Sequence, residues 1–553
     1  MKRQSLVAAM VVVCGMALGA TCQVAPPDTG KMSWDLFEEV KEMEQRSATG
    51  EDVEAITAFF VTGEPITNEQ AELLGDLGYS MVGSYGHFAL VDAPGTLYSD
   101  PERGVGTLDF ISNAALPPAP IAYDYNTEGV VAMGADAAHR LGYTGEGTKI
   151  AIIDGGFDPD NPILQASSAV YYKVRPDPEI PGRYFWDVGE VAKTDPHGTS
   201  CAIIAADVAP EAELYLITFE PGSSLVGWLM AMDFATYQLG VDAISCSIGF
   251  MSPTCHADGT GPLNSAVSSI FRGTDTIMFL AAGNSASGTG TEMFYGGKFS
   301  DSDGDFAHDF TTDAVDAWDR NGLRFYGEEG DPFVIVLEWD DWDSALGKVD
   351  LDLILSYDEY EYKVGASQAR QFERQGTPTE FLWGTLPYTG YYSLSVEDQA
   401  AKWHNQSVCS VSFHINLRNE RGLGFIEHHM AGGSVSELAT NRDVVTVGAV
   451  SLQNSTQEPY SSRGPTSDGR PKPELSGPAG VTGTVYPVYH GTSAAAPYVA
   501  SAFAVLKTAL PELSGAEVYQ HLVDTARCSN DEYGNRICVV DLEAAIATIE
   551  ENQ

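Results

Sequence analysis

The sequence predicts an α/β protein built around a parallel sheet, preceded by a small α/β unit and interrupted by an inserted antiparallel β-sandwich. Continuous apolar strands alternate with helical segments in residues 121–288 and again in residues 421–553. This alternation is typical of a parallel sheet that is covered on both faces. Residues 289–420 instead contain strand-like segments with period-two alternation and no convincing helix, which is typical of an antiparallel sandwich.

The parallel sheet is predicted from five apolar segments, which are TKIAIID, ELYLITF, VDAISCSIGF, TIMFLAAGN and DVVTVGAVS. Helices are predicted between them by segments such as HGTSCAIIAADVA and SLVGWLMAMDFATYQLG. In sheets of this kind, functional groups collect at the carboxyl ends of the strands.

The region before the sheet divides into a leader, a folded unit and a linker. Residues 54–113 predict a compact α/β unit, with strands in EAITAFFV and HFALVDA and a helix in TNEQAELLGDLG. Either Asn68 or Thr67 caps this helix, and Gly78 ends it. The Pro-rich stretch ALPPAPIAYDYNTEG predicts an exposed linker, so residues 23–120 form one N-terminal region.

The first 22 residues have the pattern of a secretory signal. Lys2 and Arg3 precede an apolar run that ends in small residues near Ala20. The run is short for a membrane span and no later segment resembles one. Cys22 follows Thr21, which fits poorly with a lipid-attachment motif, so a lipid-anchored form is disfavoured. We therefore expect a secreted protein, extracellular or periplasmic.

The composition excludes one class of partner. Of 553 residues, 44% are hydrophobic and 10% aromatic, which is enough for folded cores. The net charge of −47 repels phosphate backbones, so nucleic acid is not an expected partner. The acidity has two interpretations, which are a solvated surface and an adaptation to salt or calcium.

The cysteines can form disulfides if the protein is exported, because exported proteins meet oxidising conditions. Cys528 and Cys538 flank a polar, turn-rich stretch and suit a local bridge. Cys246 and Cys255 are a second candidate pair. None of the cysteines has the paired spacing of a zinc site.

Three short segments carry the residues of a nucleophilic site. Asp154 ends a predicted strand in IAIIDGGFD, His197 begins a predicted helix in DPHGTSCAIIAA, and Ser493 begins another in HGTSAAAPYVASAFAVL. Each residue alone is better explained as a turn or capping residue. Together they supply a nucleophile, its base and a carboxylate that holds the base. Asn284, just after a strand in LAAGNSAS, is placed to donate to a developing oxyanion.

These motifs resemble those of the subtilisin family of serine peptidases, in which the triad also runs in the order Asp, His, Ser. The segments AIIDGGFD, HGTSCA and GTSAAAP are similar to the family's three motifs, and SSRGPTSDGRPKPEL and VTVGAVS match further family segments. The similarity covers roughly residues 133–288 and 424–550. Gly155 departs from the family, where Ser or Thr is commoner, and this predicts looser hydrogen bonding around the Asp.

The resemblance implies a serine endopeptidase that acts on proteins or peptides and needs no cofactor for its chemistry. Ser493 would attack the peptide carbonyl, His197 would transfer the proton and Asp154 would hold the His. Asn284 and the backbone N–H of Ser493 would form the oxyanion hole. Two segments would line the cleft and pair with an extended substrate, namely Ser247, Ile248 and Gly249, and Ala281, Ala282 and Gly283.

The two accessory regions also resemble known domains. Residues 54–113 resemble the inhibitory propeptide of this family, so the protein's own N-terminal region is an expected intramolecular inhibitor; an unrelated N-terminal domain is the alternative. The insert resembles the pre-peptidase C-terminal type of β-domain, most clearly in LEWDDWDSALGKVDLDLILSY, with a binding or shielding role.

A structural calcium site is a further candidate. Asp301, Asp303 and Asp305 alternate in FSDSDGDFAHDF, and carboxylate oxygens at this spacing can bind calcium. Thr312 stands where an EF-hand requires Glu, so an EF-hand is rejected. A solvated acidic turn is the alternative.

Two other functions stay open. One is a processing protease that cuts a single partner, and the other is an inactive binding module. The related acidic Ser-Glu-Asp peptidases are disfavoured because HGTS supplies a His.

Overall fold

The computed structural model describes residues 56–62, 66–85, 88–93, 108, 111–115, 120–122, 128–167, 169–220, 225–250, 256–287, 289–311, 321–342, 349–358, 362–368, 378–404, 411–425, 428–531 and 534–550. The predicted signal lies outside these residues. The chain forms two compact units. The sandwich unit comprises Met1–Pro117, Pro178–Pro181 and Ser287–Ala431, and the parallel-sheet unit comprises Pro118–Asp177, Gly182–Ala286 and Gly432–Gln553.

The strands of the described residues are, in chain order, β1 (Ile56–Thr62), β2 (Ser80–Tyr85), β3 (Phe88–Ala93), β4 (Ile111–Ala115), β5 (Pro120–Ala122), β6 (Lys149–Ile153), β7 (Val170–Pro176), β8 (Tyr184–Val188), β9 (Glu213–Phe219), β10 (Ala243–Cys246), β11 (Ile248–Phe250), β12 (Ile277–Ala281), β13 (Thr289–Lys298), β14 (Leu323–Gly327), β15 (Pro332–Trp339), β16 (Leu351–Tyr357), β17 (Tyr362–Ser367), β18 (Thr379–Thr385), β19 (Gly390–Asp398), β20 (Ser412–Phe425), β21 (Val445–Ser451), β22 (Leu475–Ala479), β23 (Arg527–Asn530) and β24 (Arg536–Val539).

The α-helices of the same residues are α1 (Asn68–Leu77), α2 (Gly129–Ala132), α3 (Ala135–Arg140), α4 (Pro162–Ala166), α5 (Pro196–Val208), α6 (Leu225–Asp233), α7 (Pro262–Phe271), α8 (Gln399–His404), α9 (Thr492–Ala509), α10 (Gly515–Thr525) and α11 (Leu542–Glu550). A π-helical segment, Phe234–Leu239, continues α6, and a 3₁₀ turn covers Glu437–Thr440.

The N-terminal part of the sandwich unit is a four-stranded antiparallel sheet in the order β2-β3-β1-β4. Of the two candidate caps of α1, the structure selects Thr67. Its hydroxyl accepts the Gln70 N–H at 3.2 Å, and the Gln70 side-chain oxygen accepts the Thr67 N–H at 2.8 Å. This reciprocal pair is a capping box. Gly78 ends the helix with a φ of 102°, a conformation that favours glycine.

The parallel-sheet unit contains a ten-stranded sheet in the order β23-β24-β22-β21-β12-β10-β6-β9-β7-β8. The strands from β22 to β7 in this order are parallel. Strand β8 pairs antiparallel to β7 at one edge, and β23 pairs antiparallel to β24 at the other. The predicted parallel-sheet α/β fold is therefore confirmed. The single predicted strand VDAISCSIGF is divided into β10 and β11, with Ser247 between them.

The rest of the sandwich unit is an antiparallel sheet in the order β17-β16-β19-β14-β20-β15-β18, with β13 also paired to β20. Its two end strands meet, because the Phe381 N–H of β18 donates to the Ser367 hydroxyl of β17 at 3.1 Å, and that hydroxyl donates to Glu380. The predicted inserted sandwich is therefore one antiparallel sheet that curls upon itself. The short helix α8 interrupts a region in which the sequence predicted none.

The cysteines confirm one suggested pair and contradict the other. Cys528 and Cys538 lie opposite each other in β23 and β24 and form a disulfide. The pairing of Cys246 with Cys255 is wrong, because Cys246 is a buried free thiol. Its sulfur accepts the Trp228 indole N–H at 3.3 Å and donates to the Ile248 carbonyl at 3.4 Å, which directs it into the core. Among the described residues, no helix is long and apolar enough to cross a membrane.

Candidate active site

The predicted site residues gather where three neighbouring parallel strands end. Asp154 follows β6, Ser247 follows β10, and Ala282 follows β12. Strand β10 lies between the other two, with Cys246 in register with both Ile153 and Leu280. The carboxyl ends of parallel strands form one edge of the sheet, which is where such sheets place functional groups.

Asp154 and His197 form a buried pair. The Asp154 Oδ2 atom lies 2.7 Å from Nδ1 of His197, and the Oδ1 atom accepts the Gly155 N–H at 2.7 Å. The two residues are only 1% and 2% exposed. A carboxylate bonded to Nδ1 fixes the tautomer and the orientation of the ring, and leaves Nε2 as the basic nitrogen. The backbone of Gly155 thus supplies a hydrogen bond on the Asp side without a hydroxyl.

The helix α5 brings His197 to the end of β6. Asp195 caps this helix, and its Oδ1 atom accepts the His197 N–H at 3.0 Å. Gly198 allows the close approach of the helix to the Asp154 loop. A Cβ atom at Gly198 would lie 2.2 Å from the Gly156 carbonyl oxygen and 2.8 Å from the Asp154 Cβ atom. Only glycine fits between these backbones.

Replacing Gly198 with alanine should therefore destabilise the protein and lower its activity. Overpacking a tight contact costs about 1–3 kcal/mol, and here the obstacle is backbone that cannot swing away. Gly155→Ala is the matched control, because its Cβ atom would meet nothing nearer than the Lys193 Cε atom at 3.6 Å. Urea denaturation should show a lower midpoint for Gly198→Ala only. Equal midpoints for the two variants would contradict this role of Gly198.

Ser493 lies in the first turn of α9, whose N-cap is Gly491 with a φ of 114°. Its hydroxyl donates to the Ser247 carbonyl at 3.1 Å, and the Ser247 hydroxyl donates to the Ser493 carbonyl at 2.8 Å. This reciprocal pair holds Ser493 against the segment between β10 and β11. The helix also directs its positive end towards the hydroxyl.

Asn284 is oriented by the residue that precedes Ser493. Its Oδ1 atom accepts the Thr492 N–H at 3.0 Å and the Thr492 hydroxyl at 3.2 Å. Because the carbonyl end of the amide faces Thr492, the NH₂ end lies on the opposite side of the amide. A fixed side-chain amide of this kind can serve as an oxyanion donor.

Two buried residues that the sequence did not single out connect the backbones of His197 and Ser493. The Tyr489 hydroxyl donates to the His197 carbonyl at 2.8 Å and lies 3.5 Å from the Cys201 sulfur. The Cys201 thiol lies 3.7 Å from the Ser493 carbonyl. Burial, and then the charge of Asp154, raise the pKa of this thiol well above its ordinary value, so it stays neutral. Cys201 belongs to the quoted motif HGTSCA and Tyr489 directly precedes the motif around Ser493, but only the fold shows that they meet.

The first segment predicted to bind substrate includes the start of strand β11, and another strand of this protein is already paired with β11. Strand β11 pairs antiparallel with β5, so that Ile248 is in register with Ala122 and Gly249 with Ile121. The edge formed by Ile248 and Gly249 can therefore accept an added strand.

The second predicted substrate segment uses its backbone differently. The Ala282 N–H donates to the Val447 carbonyl at 3.0 Å, and the Ala282 carbonyl accepts the Ser436 N–H at 2.9 Å. The Gly283 N–H donates to the Thr492 hydroxyl at 3.1 Å. Since these backbone groups already bond within the unit, they do not form a free strand edge, and contact of Ala281, Ala282 and Gly283 with a substrate stays a prediction.

The three candidate calcium ligands come together in the sandwich unit. Asp301, Asp303 and Asp305 each offer an oxygen within 4.8 Å of the others. The Asp301 carboxylate accepts the N–H groups of Gly304 at 2.7 Å and Phe306 at 3.0 Å. These bonds give Asp301 a part in closing the turn. Calcium binding by the three carboxylates stays a prediction.

Comparison with known proteins identifies the family of this chain. The sequence profile of the Subtilase family matches residues 145–303 and 398–540, which is more than half of the chain. The family is one of serine peptidases. The chain belongs to the subtilase family. The unmatched stretch between the two ranges falls within the insert.

Two individual proteins are similar over most of this chain. The minor extracellular protease Vpr of Bacillus subtilis (strain 168) is 24% identical over 448 residues, which cover 73% of this chain and 51% of Vpr. The chain thus spans about half the length of this curated relative. The structure of the Clostridium perfringens CspB protease is 15% identical, covers 76% of this chain and 98% of its own, and has a TM-score of 0.47.

Proposed function

We propose that this protein is an exported serine endopeptidase that hydrolyses peptide bonds in proteins, with Asp154, His197 and Ser493 as its triad. The buried contact of 2.7 Å between Asp154 and His197 is the observation that carries the proposal. It lies at the carboxyl edge of the parallel sheet in the same unit as Ser493, and the chain belongs to a family of serine peptidases.

The chemistry follows from the atoms at the site. For attack, the Ser493 hydroxyl exchanges its bond to the Ser247 carbonyl for one to Nε2 of His197. The Oγ atom then adds to the peptide carbonyl while Nε2 takes its proton, and Asp154 stabilises the imidazolium. The oxyanion accepts from the Asn284 amide and the Ser493 N–H. Collapse expels the amine with a proton from Nε2, and water then repeats the sequence to release the acid.

The cleft supports an extended protein or peptide chain as the substrate. Strand β11 pairs with β5 in the way that a substrate strand would pair. Strand β5 comes at the end of the N-terminal region, and this supports the interpretation of that region as an intramolecular inhibitor and the protein as a precursor. The signal-like N-terminus and the description of Vpr as an extracellular protease support export.

Labelling at Ser493 tests the proposal directly. The mature protein should react with a fluorophosphonate at Ser493 and should hydrolyse several unrelated unfolded proteins, because the reagent needs an activated serine. His197→Ala retains the hydroxyl but lacks the base, so it should lose both labelling and hydrolysis. Tryptic mapping locates the label.

Two results would change the proposal. Hydrolysis of a single protein from a varied panel would favour a narrow processing protease. A mature, folded protein that neither takes the label nor cuts any substrate would favour an inactive binding module.

A further inference from the structure

The backbone on both sides of Asn284 is held by one buried serine, Ser462. The Ser462 N–H donates to the Gly283 carbonyl at 2.9 Å, and the Ser462 hydroxyl accepts the Ser285 N–H at 3.0 Å. The contact is close, since a Cβ atom at Gly283 would lie only 2.9 Å from the Ser462 Oγ atom. Whatever fixes Ser462 therefore also fixes the backbone that carries the Asn284 side chain.

Arg463 closes the loop that carries this serine. Its Nε atom donates to the Ser461 carbonyl at 3.4 Å. Its Nη2 atom donates to the Pro459 carbonyl at 3.3 Å and to the Glu458 carbonyl at 3.5 Å. Because a guanidinium has five N–H donors in one rigid plane, it can hold several carbonyl groups at once. We call residues 458–463 the support loop.

A buried carboxylate from another element balances the charge of Arg463. The Nη1 atom of Arg463 donates to the Oδ2 atom of Asp531 at 3.2 Å, and the two side chains are 7% and 6% exposed. Removing one partner of a buried ion pair leaves the other charge buried without compensation, which is strongly destabilising. The conformation of Arg463 should therefore depend on Asp531.

Asp531 is itself fixed within the hairpin formed by β23 and β24. Its Oδ1 atom accepts the Asn535 N–H at 2.7 Å, and its Oδ2 atom accepts the Asn535 side-chain amide at 3.0 Å. The disulfide between Cys528 and Cys538 joins the two strands of this hairpin. The hairpin thus presents Asp531 to the support loop as a fixed anchor.

We propose that Arg463 is a positioning residue for the proposed oxyanion donor Asn284, and that the hairpin anchors it through Asp531. Asp531 holds Arg463, and Arg463 shapes the support loop. Ser462 of this loop then holds the residues on either side of Asn284. The inference rests on the proposed function, because an oxyanion donor stabilises the transition state only when it is aimed at the right point.

The kinetics of Arg463→Met test this role. Methionine has an unbranched apolar chain, but it cannot donate to the loop carbonyls or pair with Asp531. Since a misplacement of about 1 Å can cost about 10²-fold in rate, we expect kcat on a soluble peptide to fall by about 10-fold, with little change in KM. Arg463→Lys retains the charge opposite Asp531 and should recover part of this loss.

Arg527→Met is the matched control. Arg527 also lies on the hairpin, but it pairs with Asp541 at 3.1 Å and with the Ala132 carbonyl at 3.2 Å, neither of which belongs to the support loop. This variant should keep the kcat of the wild type.

A double-mutant cycle separates positioning from a general loss of structure. If the support loop acts through the Asn284 amide, Arg463→Met should cost little in kcat once Asn284→Ala has removed that amide. A variant that is merely less stable would lose the same factor in both backgrounds. Asp531→Ala should resemble Arg463→Met, and combining these two changes should add little to either alone.

Hydrogen exchange supplies a measurement that does not depend on hydrolysis. In a Ser493→Ala background, Arg463→Met should speed amide exchange in peptides that cover residues 283–286, because the Ser285 N–H loses its fixed acceptor. Peptides from β6 should be unchanged. If Arg463→Met does not fold, Asp531→Asn, which keeps the shape of the side chain without its charge, is carried through the same measurements.

The proposed function and this inference fail in different ways. A wild type that cuts no peptide would remove the proposed function, and exchange in residues 283–286 would then decide alone whether Arg463 anchors this segment. Unchanged exchange in Arg463→Met would overturn the inference. With an active wild type, it would also be overturned by an unchanged kcat in Arg463→Met, or by equal losses with and without the Asn284 amide.

Discussion

Replacing Ser493 with alanine should abolish peptide hydrolysis and yield a folded precursor that keeps its N-terminal region. The same change in subtilisin lowers kcat by about 10⁶-fold, and we expect a loss of this order here. The fold should survive, because the variant loses only the bond from Oγ to the Ser247 carbonyl. The reciprocal bond from the Ser247 hydroxyl to the Ser493 carbonyl remains.

The precursor should accumulate because, in the wild-type protein, Ser493 itself is expected to cut off the N-terminal region. Strand β5 lies on β11, with Ala122 in register with Ile248, so the end of the N-terminal region already pairs with the predicted substrate strand. A bond presented within the same molecule has a high effective concentration of nucleophile. The wild-type protein should therefore mature by itself to an N-terminus shortly after residue 122.

N-terminal sequencing and mass spectrometry of both proteins, expressed in a protease-deficient host, measure this result. The Ser493→Ala protein should retain residues 23–122, and the wild type should lack them. Ser501→Ala is the matched control, since Ser501 is a buried serine of the same helix and should leave maturation unchanged. Trimming of Ser493→Ala to the wild-type N-terminus in this host would make another protease responsible.

The parallel strands were predictable from the sequence because burial on both faces leaves a continuous apolar run. Strands β6, β9, β12 and β21 lie where those runs occur. Strands β7, β8 and β22 are among those that were not predicted. Strand β8 is an edge strand with an irregular exposure pattern, and β22, with the sequence LSGPA, contains Gly and Pro, which have low strand propensity.

The residues of the proposed triad could be singled out from the sequence because each lies in a local motif at a strand end or a helix start. The contacts between Tyr489, Cys201 and the two triad backbones were not, since they join residues that are almost 300 positions apart, as from Tyr489 to His197. The wrong pairing of Cys246 with Cys255 shows that the spacing of two cysteines along the sequence does not predict the direction in which their side chains point.

Replacing Asn284 with alanine should lower kcat with little change in KM. In the proposed mechanism the amide donates to charge that exists mainly in the transition state, so its loss should affect the chemical step rather than substrate binding. Removal of the equivalent donor in subtilisin costs about 10²–10³-fold in kcat, and we expect a similar loss here. Initial rates on a soluble peptide substrate, with the folded fraction measured by urea denaturation, give both constants.

A second substitution separates this role from the contact with Thr492. Asn284→Asp keeps an oxygen to accept the Thr492 N–H and hydroxyl, which Asn284→Ala loses, but it has no N–H to donate to an oxyanion. Its negative charge would also oppose the charge that develops on the substrate. We therefore expect Asn284→Asp to be at least as slow as Asn284→Ala and closer to the wild type in stability. If Asn284→Asp instead kept most of the wild-type kcat, the side chain would act by holding Thr492 and not as an oxyanion donor.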